Sequence, residues 1–207
     1  MQDGTAGYEG DPDTLVRKFE AMSFEALHRE VLPLFPSPPA LILDLGAGSG
    51  RDAAAFVALG HDVIAVEPAA GLRRRAQALH PLPRITWIDD SLPDLTFLTD
   101  SGIFDVVMVT AVWMHLDPAQ RARGLQRIAA LLKPGGFTTL TLRHGPVPPG
   151  RRMFAVSGED TIRQAAAAGL APILHLEHQV ALSGNPGVTW TRLAFRKPHL
   201  DDGASSP

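Results

Sequence analysis

The sequence has no cysteine among its 207 residues. That excludes disulfides, thiolate metal sites and thiol nucleophiles, and it leaves the redox compartment open. It has no apolar run near the roughly 18 residues that a membrane-spanning helix needs. It has no excess of basic residues either: 19 Lys and Arg stand against 22 Asp and Glu, a formal net charge of -3. This balance argues against a nucleic-acid or anionic-membrane partner. The start, MQDGTAGYEGDPD, lacks the basic-then-apolar order of a secretory leader. A cytoplasmic location is the expectation. His175 and His178 do not share a strand face and have no acids at metal-ligand spacing, so no metal is expected.

What is present is an ordinary globular mixture, 45% hydrophobic and 20% charged, of a length that suits one domain. The segments 13–22 and 23–35 show helical spacing, with Ser23 as an N-cap and PSPP as a stop. From residue 41, strands and helices alternate. LILDL, HDVIAVE, RITWI, FDVVMVTAV and FTTLTLR read as strands one to five, with helices at 51–60, 69–80 and 118–132 between them. A helix at 158–170 precedes PILHLEHQVA and VTWTRLAFRK, which LSGNPG joins without a helix. Repeated strand–helix units imply a parallel sheet with helices on both sides, and the last two strands should form an antiparallel hairpin. The expected organisation is one domain over 1–197: cap helices in 1–36, a binding core in 41–142 and a Gly- and Pro-rich candidate substrate lid at 143–156. A flexible tail should occupy 198–207.

The stretch LILDLGAGSGRD carries the chemistry. An apolar strand ends in Asp44, and the loop Gly46-Ala47-Gly48-Ser49-Gly50 follows. In open α/β sheets, ligands bind beyond the C-terminal strand ends, where this loop must sit. A dinucleotide site asks for G-x-G-x-x-G, but Arg51 stands at the third position, and the phosphate motif ending in G-K-[ST] is absent. Glu67 closes strand two, where an acid accepts hydrogen bonds from ribose hydroxyls. Asp44 would repel phosphate and favours a cation. A ribose, a positive charge and no pyrophosphate together fit S-adenosylmethionine, with its adenosine, sulfonium and α-ammonium groups.

LDLGAGSG, VIAVEP, WIDDSLP, FDVVMVTAVWMHL and LLKPGG resemble, in that order, the motifs of the class I S-adenosylmethionine-dependent methyltransferases. The resemblance covers residues 41 to 142. It implies a Rossmann-like three-layer α/β sandwich with a seven-stranded, mostly parallel sheet in the order 3-2-1-4-5-7-6. It implies S-adenosyl-L-methionine as cofactor, held by Asp44, Gly46, Ala47, Gly48, Arg51, Glu67, Pro68, Ser91, Thr110 and Ala111. Either Asp89 or Asp90 would meet the adenine amino group. Methyl transfer to an oxygen or nitrogen of a small molecule is the leading expectation. A peptide or RNA substrate, or a protein that binds the cofactor without catalysis, are the alternatives. A nicotinamide oxidoreductase is disfavoured by Asp44 and Arg51.

His115, just past strand four, is the candidate general base, against the plainer role of shaping the pocket. His144, in the candidate lid, is the second catalytic candidate; with Arg151 and Arg152 it could contact substrate, including an anionic group. Tyr8 and Arg17 could close over the cofactor. Arg73, Arg74 and Arg75, like Arg121, Arg123 and Arg127, do not form one patch at helical spacing and are read as solvated faces. Trp87 and Trp190 are read as core, whereas Trp113 has a chance of facing the pocket. The oligomeric state is not legible.

Overall fold

The computed structural model describes residues 5, 7, 8, 10–182 and 186–199. Its elements run α1 Pro12–Glu20, α2 Phe24–His28, β1 Leu41–Leu45, α3 Arg51–Ala58, β2 Asp62–Val66, α4 Ala70–Leu79, β3 Ile85–Ile88, β4 Phe104–Val109, α5 Pro118–Leu131, β5 Leu132–His144, α6 Gly158–Ala167, β6 Ala171–Val180 and β7 Thr189–Arg196. One seven-stranded sheet has the order β3-β2-β1-β4-β5-β7-β6. The first five strands pair in parallel, and β7 runs antiparallel to both β5 and β6.

The apolar run of β1 is explained by its place at the middle of the sheet, where both faces are covered. Its residues alternate between two cores. Leu43 and Leu45 join Val107, Val109, Leu140 and Leu142 under Leu125 and Ile128 of α5 and Ala165 of α6. Ile42 joins Val63, Ala65, Val106 and Met108 under Phe24 of α2 and Phe56 of α3. Each fully buried Val, Leu, Ile, Phe or Met side chain here contributes roughly 1.5–3 kcal/mol. Helix α5 starts firmly: Asp117 and Gln120 form a reciprocal capping box, with Pro118 in the first turn.

Several element ends differ from the sequence reading by one to three residues, and four differences bear on the site or the sheet. The segment expected as one helix over 23–35 stops at His28 and resumes as a 3-10 turn at Leu32–Leu34, because Pro33 removes a backbone donor. Strand β4 ends at Val109, not 112; Ala111 takes a left-handed φ of 58° and Trp113–His115 form a 3-10 turn. Strand β5 already begins at Leu132, with a register shift between Phe104 and Val106 that absorbs the PGG stretch. It also runs on to His144, opposite Thr189, so His144 is a strand residue and not part of a loop. The tail expected at 198–207 lies, from residue 200 on, outside the described residues.

Candidate functional site

Beyond the C-terminal ends of β1, β2 and β4 lies a cavity of about 760 Å³. The glycine loop forms its floor. Gly46 has a φ of 73°, and a Cβ there would overlap Val112 Cγ2; Gly48 has a φ of 59°, with the Phe19 ring 3.4 Å from where its Cβ would be. The left-handed φ favours glycine at both positions, and at Gly46 Val112 also leaves no room for a Cβ. The loop amides are already engaged. Gly46 and Ala47 N–H both donate to the Val66 carbonyl, at 2.8 and 3.0 Å, and Gly50 N–H donates to Ala47 O at 2.9 Å. Gly48 N–H donates to Glu67 Oε2 at 2.8 Å. A phosphate cradle needs such donors free. This loop shapes space and leaves few amides for an anion.

Its acids are set to meet something else. Asp44 is 2% exposed, and its Oδ2 has no hydrogen-bond partner among the described residues. Burial, and then the charge of Asp52, push its pKa well above the usual carboxylate range. A buried, unpaired carboxyl is costly until a cation or donor reaches it. Glu67 accepts from Gly48 N–H and from Ala69 N–H, 2.8 Å each, one per carboxylate oxygen. Each oxygen keeps a lone pair for a ligand hydroxyl. Burial raises the pKa of Glu67, and these two amides partly offset that.

Arg51 and Asp52 tie the loop to the cap helices. Arg51 Nε donates to Asp52 Oδ1 at 2.7 Å and Arg51 Nη1 to the Phe19 carbonyl at 2.9 Å. The other Asp52 oxygen lies 2.8 Å from His28 Nε2, with both side chains buried. Burial alone would raise the Asp52 pKa, but the bonds and charges of His28 and Arg51 outweigh it and hold the carboxyl low. Of the WIDD pair, Asp90 lines the cavity, its oxygens accepting from Ser91 and Phe97 N–H at 2.8 and 2.7 Å. Asp89 is exposed and pairs with Arg73 at 2.6 Å.

His115 reaches the cavity because the left-handed Ala111 and the 3-10 turn fold the chain back after β4. His115 Nδ1 lies 2.8 Å from the Arg152 carbonyl and Nε2 lies 2.9 Å from the Tyr8 hydroxyl. A carbonyl only accepts, so Nδ1 carries the proton, and Nε2 accepts from the phenol. Burial holds the His115 pKa below the usual imidazole value, against the bond to Arg152 O, which raises it. Burial raises the Tyr8 pKa. The Arg151 guanidinium lies 3.3 Å from the Tyr8 ring centroid. Gly7 and Gly150 touch so closely that a Cβ at Gly7 would overlap the Gly150 carbonyl. Phe154 N–H bonds Met114 O at 2.8 Å, so this segment is anchored to the turn that carries His115.

The cavity therefore gathers Asp44, Gly46, Ala47, Gly48, Arg51, Glu67, Pro68, Asp90, Ser91, Thr110, Ala111 and His115, together with Tyr8 and Arg152. Asp89 and His144 are outside its lining. His144 bonds Thr191 Oγ1 at 2.8 Å, with His178 beside it. Three other readings change. Trp113 is fully buried in the core, whereas Trp190 lines the cavity. Arg121 is buried, not solvated, and donates to Ala155 O at 2.9 Å, holding the 145–156 segment. Arg73 is likewise engaged, by Asp89 and the Glu67 carbonyl. Sequence reasoning missed Thr141, Trp190 and Arg192, which line the cavity from β5 and β7. The available signal was the alternation of VTWTRLAFRK: if Thr191, Leu193 and Phe195 face one core, Trp190 and Arg192 must face the other side.

Residues 42–136 match the model of a family described as a methyltransferase domain. An uncharacterized methyltransferase of Mycobacterium tuberculosis is 32% identical over 103 residues, 50% of this chain and 40% of the relative. A demethylmenaquinone methyltransferase of Clavibacter sepedonicus is 32% identical over 138 residues, 64% of this chain and 51% of the relative. The chain thus spans about half the length, or less, of these curated relatives. The fold is similar to the Burkholderia thailandensis 1,6-didemethyltoxoflavin-N1-methyltransferase solved with 1,6-didemethyltoxoflavin and S-adenosylhomocysteine: TM-score 0.66, 24% identity, 89% of this chain and 78% of that one. The matched segment is the one that carries the loop, Asp44 and Glu67, and over it the chain is similar to the class I S-adenosylmethionine-dependent methyltransferases.

Proposed function

We propose that the protein moves a methyl group from S-adenosylmethionine to an oxygen or nitrogen of a small molecule. The observation that carries this reading is the unpaired, buried Asp44 oxygen across from Glu67, around a loop whose amides are already engaged. The residues fit the cofactor. Asp44 would take its ammonium group, Glu67 its ribose hydroxyls, and Asp90 with Ser91 the adenine end; Thr110 and Ala111 would line the methionine end. Bound there, the cofactor supplies a sulfonium methyl group open to in-line displacement.

The chain contributes positioning, dryness and a place for a proton. Tyr8 and the 145–156 segment close over the site through Gly7, Gly150 and Arg151. His115, neutral and with Nε2 as its free base, takes the substrate proton through the Tyr8 hydroxyl. The phenol oxygen accepts that proton as its own passes to Nε2. A cavity of about 760 Å³, shared with the cofactor, leaves room for a small acceptor and falls in the usual range for such sites. The Burkholderia structure, with a small ligand beside S-adenosylhomocysteine, supports that choice.

The test is a panel of small hydroxyl and amine compounds, with peptides and RNA as further arms, followed by formation of S-adenosylhomocysteine. Turnover on a small molecule is the expected result. Turnover only on peptide or RNA would reassign the substrate. Cofactor binding without turnover on any arm would make this a binding protein.

A further inference from the structure

The cavity has two ends of opposite character. Its carboxylates, Asp44, Asp52, Glu67, Asp90, Asp94 and Asp117, all come from β1, α3 and the loops that follow β2, β3 and β4. The other end is lined by Thr141, Arg152, Val180, Leu182, Trp190 and Arg192, with no carboxylate from β5, β6 or β7 among the described residues. Trp190 and Arg192 stand two apart on β7, so they project from the same face, about 7 Å apart along the strand. Thr141, opposite Arg192 in register, fixes the Ala111 amide by accepting its hydrogen bond at 2.7 Å. This end is therefore joined through one side chain to the turn that leads to His115.

The cations of the lining can be accounted for one by one. Arg51 is held by Asp52 and Arg123 by Asp94, 3.3 Å away. Arg152 lies over the Phe154 ring at 4.7 Å. Arg192 is half-buried, and none of its guanidinium nitrogens has a hydrogen-bond or ion-pair partner among the described residues. Glu30 is the acid whose charge reaches it, but Arg29 donates twice to Glu30, at 3.2 and 3.0 Å. Burial lowers the pKa of Arg192, the signature of a cation removed from water without an adequate counter-charge. A guanidinium in that position is unfavourable until a planar anion forms two parallel bonds with it.

We infer that the methyl acceptor is an anionic small molecule, a carboxylate or phosphate, whose charge is held by Arg192 while Trp190 walls its body. This rests on the methyltransferase reading above and deepens it to a substrate class. Arg192 is then a specificity-determining residue. The acid end of the cavity takes the cationic cofactor and the basic end takes the anion, so each ligand is repelled from the other's place.

The experiment uses the full chain saturated with S-adenosylhomocysteine. Ligand-observed NMR measures benzoate, phenyl phosphate and the uncharged benzamide. Benzoate or phenyl phosphate should bind at least tenfold more tightly than benzamide, and the stronger of the two identifies the anion. Arg192→Gln should weaken the anion by roughly 10- to 100-fold, the scale of hydrogen bonds to a charged group. Arg192→Lys should recover part of it. Calorimetry on both variants should find S-adenosylhomocysteine affinity within about twofold of the parent chain, which also shows that they fold. Equal binding of anions and amide, no anion binding, or anion binding indifferent to Arg192→Gln would overturn the assignment and leave the methyltransferase reading intact. A proportionate loss of S-adenosylhomocysteine in Arg192→Gln would give the guanidinium to the cofactor instead. Failure of the parent chain to bind S-adenosylhomocysteine would remove the methyltransferase reading, and this inference with it.

Discussion

Asp44 carries the clearest prediction at the scale of one residue, because it is buried with an oxygen that has no partner among the described residues. Its pKa is raised in the fold by burial and by Asp52. A raised carboxyl stabilises the fold while protonated, below the unfolded value near 3.9, and that contribution is lost as pH rises through the folded value. At neutral pH the cofactor-free protein therefore bears a cost that Asp44→Asn removes. Thermal unfolding without ligand should show the Asn variant more stable than the parent near pH 7, with the gap closing below about pH 4. Saturating S-adenosylhomocysteine should reverse the order. A less stable Asn variant at neutral pH would mean that the ionised carboxylate already has a partner. At this scale the sequence was informative about Asp44 and Glu67, because a charge in an apolar strand must have a reason. It left Asp89 and Asp90 open, since only the fold shows that Arg73 draws Asp89 away. It did not reveal the Tyr8–His115 bond, which joins residues 107 apart in sequence. That bond makes a second prediction. His115→Ala should keep cofactor affinity and lower turnover by about 10²–10⁴-fold. Its acid limb, which lies below the ordinary imidazole value because His115 is held low, should disappear. Tyr8→Phe should shift the same limb if the phenol carries the proton. An unchanged pH profile in both would leave them as packing residues, with effects on the Michaelis constant alone.

Among elements, the junction of α1, α2 and α3 deserves its own test, because two cap helices meet the glycine loop through one carboxylate. Asp52 holds His28 of α2 on one oxygen and Arg51 on the other, and Arg51 holds the Phe19 carbonyl of α1. The folded Asp52 pKa is depressed, so its contribution is present above the unfolded value and is lost as pH falls through the folded one. Asp52→Ala should destabilise the chain by about 3 kcal/mol, the low end for a broken buried pair. The low end applies because Arg51 keeps its bond to the Phe19 carbonyl. Urea unfolding at pH 7 measures this, and the difference from the parent should shrink in acid below about pH 4. An effect that does not vary with pH would point to packing instead of charge. Element types were well specified by periodicity in the sequence, and their ends less so. Pro33 could be read as a break, but the early end of β4 depends on Ala111 turning left-handed, which alanine does not advertise. Likewise, nothing in LKPGG signals that pairing with β4 draws these residues into β5.

For the molecule as a whole, strand order was legible because parallel βαβ units and one helix-free hairpin admit few arrangements. The cavity end lined by Thr141, Trp190 and Arg192 was not, because its residues arrive from β5 and β7, elements distant in sequence that meet only in the sheet. The same architecture predicts how ligand binding couples to global stability. The cavity touches the cap helices, the glycine loop and strands from both halves of the sheet, so a ligand bound there is excluded from the unfolded chain altogether. At about 100 times its dissociation constant, such a ligand adds about 2.7 kcal/mol. For a chain of this size that corresponds to a melting temperature raised by roughly 5–11 °C. S-adenosylhomocysteine should produce that shift and NAD should produce none, because the loop amides that would hold a pyrophosphate are engaged by Val66, Glu67 and Ala47. Glu67→Ala should cut the S-adenosylhomocysteine affinity by roughly 1.5–3 kcal/mol, the worth of hydrogen bonds to a charged group. A cofactor analogue without the ribose should be insensitive to that change. Equal losses for both ligands would mean that Glu67 acts by holding the Gly48 and Ala69 amides, and a shift with NAD alone would return the loop to the dinucleotide class.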